Sequence, residues 1–90
     1  MSTTKTSAET FRRLMHSADQ AIQSGEFQNA ESLLLQAYET GLELFGRDHG
    51  AVGLVLLRLS EVAHKTGRNK LGREYHLEVD RIVDLYLHDA

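Results

Sequence analysis

The chain contains two matching segments whose first residues lie 42 positions apart: Gly25-Glu26-Phe27-Gln28-Asn29-Ala30 and Gly67-Arg68-Asn69-Lys70-Leu71-Gly72. Each segment begins with glycine, the residue most easily placed in the left-handed conformation that ends a helix. Each ends with a small residue, which lets the backbones of two neighbouring helices approach closely. Both segments therefore predict a tight turn between two packed helices.

The similarity continues on both sides of these turns. At the same offset, small or apolar residues align with one another: Leu14 with Leu56, Met15 with Leu57, Ala18 with Ser60, Ala21 with Ala63, and Leu35 with Leu77. One pair of helices cannot bury its apolar face alone, so two such pairs are expected to stack. The sequence thus predicts two copies of one helical hairpin.

Apolar residues recur at spacings of three and four through most of the chain, which is the period of an α-helix. This periodicity predicts four helices, at about residues 7–24, 26–45, 50–66 and 69–87. A capping box at Thr6 and Glu9 is expected to start the first helix, and Asp48 to cap the third. The stretch 51–57 also fits a buried strand, but no second strand-like segment exists to pair with it. We therefore expect an all-α fold of four antiparallel helices, because the connections are short.

The composition is that of one small domain. Ninety residues, 41% of them hydrophobic and 26% charged, allow a single thin core. The absence of proline agrees with a nearly all-helical chain, and the absence of cysteine excludes disulfides, thiolate zinc sites and cysteine nucleophiles. We expect a flexible N-terminus at 1–6 and one helical domain at 7–88, with repeats at about 8–46 and 50–88.

Several locations and functions are disfavoured. The longest uncharged apolar stretch, 51–57, is far shorter than the ~20 residues that span a bilayer. Residues 1–7 lack the apolar segment of a secretory signal, so a cytoplasmic protein without a membrane span is expected. The net charge of −3 argues against nucleic-acid binding, which usually needs a basic face.

The repeat pattern resembles the tetratricopeptide repeat (TPR), in particular the 42-residue variety of kinesin light chains. The two turn segments are similar to the family's Gly-Asp-Tyr-x-x-Ala. The linker Phe45-Gly46-Arg47-Asp48-His49-Gly50-Ala51-Val52 is similar to the light-chain pattern Leu-Gly-x-Asp-His-Pro-x-Val. The resemblance covers roughly residues 8–88. The chain departs from it at Gly50 in place of proline, at Gly72 in place of alanine, and at His76 in place of a large apolar residue.

The resemblance implies a protein-binding role. In this family the first helix of each pair lines a concave face that takes an extended peptide or a partner helix. Carried over by position, that face would comprise Arg12, Met15, His16, Asp19, Ile22, Gln23, Leu54, Leu57, Arg58, Glu61, His64 and Lys65. Alternatively, Met15, Leu54 and Leu57 are simply core residues of a flat bundle. The clamp for a chaperone tail needs Lys and Asn where Met15 and Asp19 stand, so it is not expected.

Three leucines of the fourth helix, Leu77, Leu85 and Leu87, lie off its main apolar stripe. The sequence holds no further polar helix to cover them, which predicts self-association or a permanent partner. The acidic second helix and the basic second half could steer an antiparallel or head-to-tail pairing. Alternatively, these leucines fold onto the chain's own third helix. A structural module that forms homo-oligomers is therefore a second functional hypothesis.

The segment 65–73 holds four cations: Lys65, Arg68, Lys70 and Arg73. It could hold a phosphate or an acidic partner, or could be a solvated loop. A small regulator that contacts nucleic acid or an anionic surface through this basic turn is the third hypothesis.

The sequence shows no pattern typical of catalysis or metal binding. No two of the five histidines are three or four residues apart, so no helix presents a zinc-binding His pair. His76 and Asp80 have that spacing but are expected to be a surface polar pair, and His49 is expected to bond the backbone. Nucleophile elbows, phosphate-binding glycine loops and paired carboxylates are all missing. We predict no enzymatic activity, no metal and no cofactor.

Overall fold

The computed structural model describes residues 7–87 as four consecutive helices. They are α1 (Ala8–Gln23), α2 (Phe27–Phe45), α3 (Gly50–Lys65) and α4 (Asn69–Leu87). No strand occurs between residues 7 and 87, so the all-α prediction is confirmed and the strand interpretation of 51–57 is excluded. Each predicted helix end lies within one residue of the observed end. The segment 1–6, expected to be flexible, lies outside the described residues.

The N-caps of α1 and α3 differ from those predicted. Ser7 Oγ accepts a hydrogen bond from Thr10 N at 3.1 Å, so α1 is capped one residue later than expected. At α3, His49 Nδ1 accepts a hydrogen bond from Ala51 N at 3.0 Å. The prediction that Asp48 caps α3 is therefore wrong, and the prediction that His49 bonds the backbone is confirmed.

The two turns within the hairpins are the same structure formed twice. After α1, Glu26 N donates to Ala21 O at 2.8 Å; after α3, Arg68 N donates to Ala63 O at 2.8 Å. These are the long hydrogen bonds of a Schellman motif, which needs a left-handed residue inside the turn. That residue is Gly25 (φ +76°) in the first turn and Gly67 (φ +81°) in the second. The bonds match one another at the offset of 42 that the sequence predicted.

Small residues occupy the place where the two helices of each hairpin pack closely. In the first hairpin these are Ala18 and Ala30, both completely buried. In the second hairpin Ser60 and Gly72 stand at the matching positions, and Ser60 Oγ donates to Gly72 O at 3.0 Å. The only polar side chain buried among residues 7–87 is thus hydrogen-bonded.

One core joins the two hairpins. Helix α2 packs against α1 and α3, while α4 packs against α3. Helix α3 is therefore sandwiched, as its nearly continuous apolar sequence predicts. Its buried apolar side chains are Val52, Val55, Leu56, Leu59, Val62 and Ala63.

Two ion pairs connect the hairpins at the edges of this core. Asp19 of α1 binds Arg58 of α3 at 3.0 Å, and Glu31 of α2 binds Arg68, just before α4, at 3.0 Å. The two hairpins thus pack directly through α2 and α3, while long charged side chains connect α1 with α3 and α2 with the start of α4. This arrangement brings the predicted binding residues of α1 and α3 to neighbouring places.

Gly53 and Gly72, the fourth residues of α3 and α4, give a matched test of packing. A Cβ on Gly53 would lie 3.5 Å from Ile82, an ordinary contact, whereas a Cβ on Gly72 would lie 2.6 Å from the His64 ring. We expect Gly53→Ala to raise the free energy of unfolding by about 0.5–1 kcal/mol through helix propensity. Gly72→Ala should raise the free energy of unfolding by less than this, or should lower it, because the His64 ring must move to make room for the new methyl group.

Urea denaturation of these variants, with and without His64→Ala, measures the effect. In the His64→Ala background, Gly72→Ala should raise the free energy of unfolding by about as much as Gly53→Ala does. If Gly72→Ala had the same effect in both backgrounds, the close contact with His64 would be contradicted.

Candidate functional site

The surface shared by α1 and α3, called here the α1–α3 face, is crossed by a charge cluster. Arg58 Nε lies 3.0 Å from Asp19 Oδ1, and Arg58 Nη1 lies 3.6 Å from Glu61 Oε1. A shallow cavity of about 210 Å³ lies beside them, lined also by Ile22 and Gln23. Pockets for small molecules usually measure about 300–1,000 Å³. The cluster is therefore better suited to contact a macromolecular surface than to enclose a ligand.

The structure distributes the twelve predicted binding residues over several places. Five of them line the cavity of the α1–α3 face: Asp19, Ile22, Gln23, Arg58 and Glu61. Arg12 and His16 line a separate cavity of about 500 Å³ along α1. His64 lines a third one, between α3 and α4, and Lys65 is exposed at the end of α3. The predicted binding residues therefore do not line a single groove.

The three apolar residues of this face differ in depth. Met15 is only 8% exposed and belongs to the core, Leu57 is half-buried, and Leu54 is 43% exposed. Met15 is therefore a core residue, as the alternative interpretation predicts, and it cannot serve as a surface contact. Leu54 is left as the main apolar contact point that α3 offers to solvent.

A charged cluster that the sequence pattern did not predict ties the linker between α2 and α3 to α4. Arg81 Nη1 lies 2.8 Å from Asp48 Oδ1, and Arg81 Nη2 lies 2.9 Å from Glu78 Oε2. Arg47 also reaches Glu78, at 3.3 Å. The hydrogen bond from Arg81 holds the pKa of Glu78 below its ordinary value, and the bond with Glu78 raises the pKa of Arg81. We call this group the linker clamp.

Tyr86 extends the linker clamp toward the end of α4. Its hydroxyl donates to Asp48 O at 3.1 Å and accepts from Gly50 N at 3.1 Å. His49 stacks on the Phe45 ring with 4.6 Å between centroids. Asp48 and His49, which the resemblance placed in a family linker, thus fix the connection between the hairpins.

A third cavity lies between α3 and α4, and one of its lining residues has an equivalent in the first hairpin. Its volume is about 450 Å³ and its lining residues are His64, Arg73, His76 and Leu77. At the offset of 42, His76 corresponds to Leu34, which is completely buried in the core. A polar ring therefore occupies the position where a further hairpin would need an apolar residue. His76 Nε2 lies 3.8 Å from Asp80 Oδ1, the predicted surface pair.

The leucines predicted to mediate self-association all reach the surface of α4. Leu77 is 67% exposed, Leu85 is 44% exposed and Leu87 is 68% exposed. Leu77 and Leu87 therefore do not fold onto α3, as the alternative interpretation had it.

The basic turn at 65–73 does not converge on one point. Arg68 is already paired with Glu31, at 3.0 Å. Arg73 lines the cavity between α3 and α4, whereas Lys70 lines a different surface beside Glu74. The charge of the turn is thus divided between two places and partly neutralised.

Among residues 7–87, no three His, Asp or Glu side chains come together in a way that could hold a metal ion. None of the four helices is both long enough and apolar enough to cross a membrane. Comparison with known proteins adds no assignment: no family model, curated protein or solved structure matches this chain. The TPR resemblance therefore depends on the residues quoted above.

The linker clamp predicts a pH dependence of stability. The pKa of Glu78 is lowered from 4.5 in the folded chain, so its ion pairs stabilise the fold above about pH 4.5. That stabilisation is lost as the pH falls through the folded pKa. We expect Glu78→Gln to lower the melting temperature at pH 6 and to match the unmodified chain at low pH, where Glu78 is protonated.

Circular dichroism melts between about pH 3 and pH 6 test this expectation. Glu74→Gln, one turn earlier on α4 and outside the linker clamp, is the control and should leave the pH profile unchanged. A deficit in Glu78→Gln that is constant across the pH range would contradict the role of the carboxylate.

Proposed function

We propose that this protein is a non-enzymatic protein–protein interaction module, a TPR-like adaptor that binds a peptide or helix of a partner on the α1–α3 face. The observation that carries the proposal is Leu54, an apolar side chain 43% exposed on the solvent side of α3. Charged groups of both helices lie on the same face, among them Arg58, Asp19 and Glu61. An apolar contact point with a charged rim is the usual composition of a protein-binding surface.

The charged rim supports recognition rather than catalysis. Arg58 and Asp19 are partly exposed and already paired, so a partner can exchange hydrogen bonds with them without leaving a buried charge unpaired. The shallow cavity beside Arg58 is open to solvent and suits a side chain of a bound segment.

The two other hypotheses receive unequal support. A homo-oligomerisation module is favoured by the exposed Leu77 and Leu87, and it is compatible with the adaptor role because these residues lie on α4. A regulator acting through the basic turn is disfavoured by the pairing of Arg68 with Glu31 and by the net charge of −3. We also propose a cytoplasmic location, supported by a chain without cysteine.

A peptide selected from a random display library against the folded protein tests the adaptor proposal. Titrated into ¹⁵N-labelled protein, it should shift amide resonances along α1 and α3. Leu54→Asp should weaken its binding by at least about tenfold, because a charge replaces the apolar contact. Leu35→Asp is the matched control, since Leu35 is 44% exposed but lies on α2.

Resonance shifts confined to α2 or α4 would contradict the proposed face. An equal loss of binding in Leu54→Asp and Leu35→Asp would show that the peptide recognises apolar surface in general.

A further inference from the structure

Six residues form one continuous exposed line along α4, which we call the outer stripe. They are spaced alternately by three and four positions, and all are exposed: Lys70, Arg73, Leu77, Asp80, Asp84 and Leu87. Residues with this spacing lie on one side of a helix and form the contact line of two-helix coiled coils. The outer stripe therefore has the geometry of a helix–helix seam.

The charges on the outer stripe are ordered along the helix. Its first two members are cations, its fourth and fifth are carboxylates, and the leucines at positions 77 and 87 are 67% and 68% exposed. We propose that the outer stripe binds the outer stripe of a second copy of this chain, with the two α4 helices antiparallel. This inference does not depend on the proposed function, because the α1–α3 face lies on other helices.

Charge complementarity selects the antiparallel orientation. A two-fold axis between Leu77 and Asp80 places Arg73 opposite Asp84 of the second copy, and Asp84 opposite Arg73 of the second copy. In this register Leu77 of each copy lies opposite Asp80 of the other, so the two Leu77 side chains and the two Asp80 carboxylates flank the axis. Each Asp80 keeps its own His76 as a neighbour, 3.8 Å away. A parallel pair would set each of these charges against its own equivalent, which repels.

The antiparallel arrangement also gives Leu87 a place to bind. Leu87 of the second copy would stand opposite Lys70, beside the cavity of about 450 Å³ that Arg73 and Leu77 help to line. Leu85 lies about 110° around the helix from the centre of the outer stripe, at 100° per residue. Of the three predicted leucines, only Leu77 and Leu87 belong to this seam.

A head-to-tail stack, in which α1 of one copy packs on α4 of another, is disfavoured because the exposed side of α1 is polar. At the offset of 42, Arg13, Ser17 and Gln20 stand where α3 carries Val55, Leu59 and Val62. The three α3 residues are buried in the core shared by the two hairpins, whereas the three α1 residues are exposed. Stacking α1 on α4 of another copy would bury these polar groups, which is costly. A closed two-fold dimer is therefore the expected assembly.

Sedimentation equilibrium of the full chain, from about 5 µM to about 1 mM, tests the proposal. The unmodified chain should show a monomer–dimer equilibrium. Arg73→Asp and Asp84→Arg should each raise the dissociation constant at least about tenfold, because each places like charges opposite one another. An equimolar mixture of the two variants should dimerise again, since the mixed pair is complementary at both contacts.

Both substitutions put a charge of the favourable sign near its helix end, so α4 should be retained, as circular dichroism can verify. Leu77→Asp should abolish the dimer. Leu85→Asp, 44% exposed and off the outer stripe, is the control and should leave the dimer intact.

Three results would overturn the proposal. The first is an unmodified chain that stays monomeric to about 1 mM, which would show that the outer stripe does not bind a second copy. The second is a mixture of the charge variants that remains monomeric, and the third is a loss of dimer in Leu85→Asp as large as in Leu77→Asp.

Discussion

The close approach of two helices at small residues is the constraint on which the rest of the structure depends. Ala18 and Ala30 leave no exposed surface, and Ser60 bonds the backbone carbonyl of Gly72 at 3.0 Å. Helices this close can be joined by a turn of three residues, which a left-handed glycine closes. A larger side chain here would separate the helices and expose the apolar faces that hold α3.

The matching positions of the two hairpins differ in polarity, which sets the side on which each hairpin is buried. Helix α3 is apolar where it meets the first hairpin, whereas α1 is polar at the matching positions, such as Arg13 and Gln20. On α4, His76 takes the place of the buried Leu34. The polar ring of His76 therefore makes this position of α4 unsuited to pack against a further hairpin.

The sequence predicted the features that depend on local periodicity. Helix ends follow from apolar spacing and turn glycines, so all four helices were located to within one residue. The linker clamp could not be predicted, because Arg81 and Asp48 are 33 residues apart and meet only after α4 packs on α3. Similarly, the resemblance assigned Met15 to a face, but its depth is set by tertiary packing. For the candidate site, the sequence therefore predicts which helices contribute but not which of their residues are accessible.

The two proposed surfaces share helix α3 as their support but present different chemistry. The α1–α3 face combines one apolar contact point with charges that are already paired, which favours reversible recognition. The outer stripe carries its two signs in separate halves of α4, an order that a second helix running the opposite way complements. Because the linker clamp fixes α4 against the connection to α3, dimerisation through the outer stripe would hold two α1–α3 faces in one rigid assembly. Such an assembly binds a partner with two recognition segments more tightly than either copy alone, since the second contact forms within the same complex.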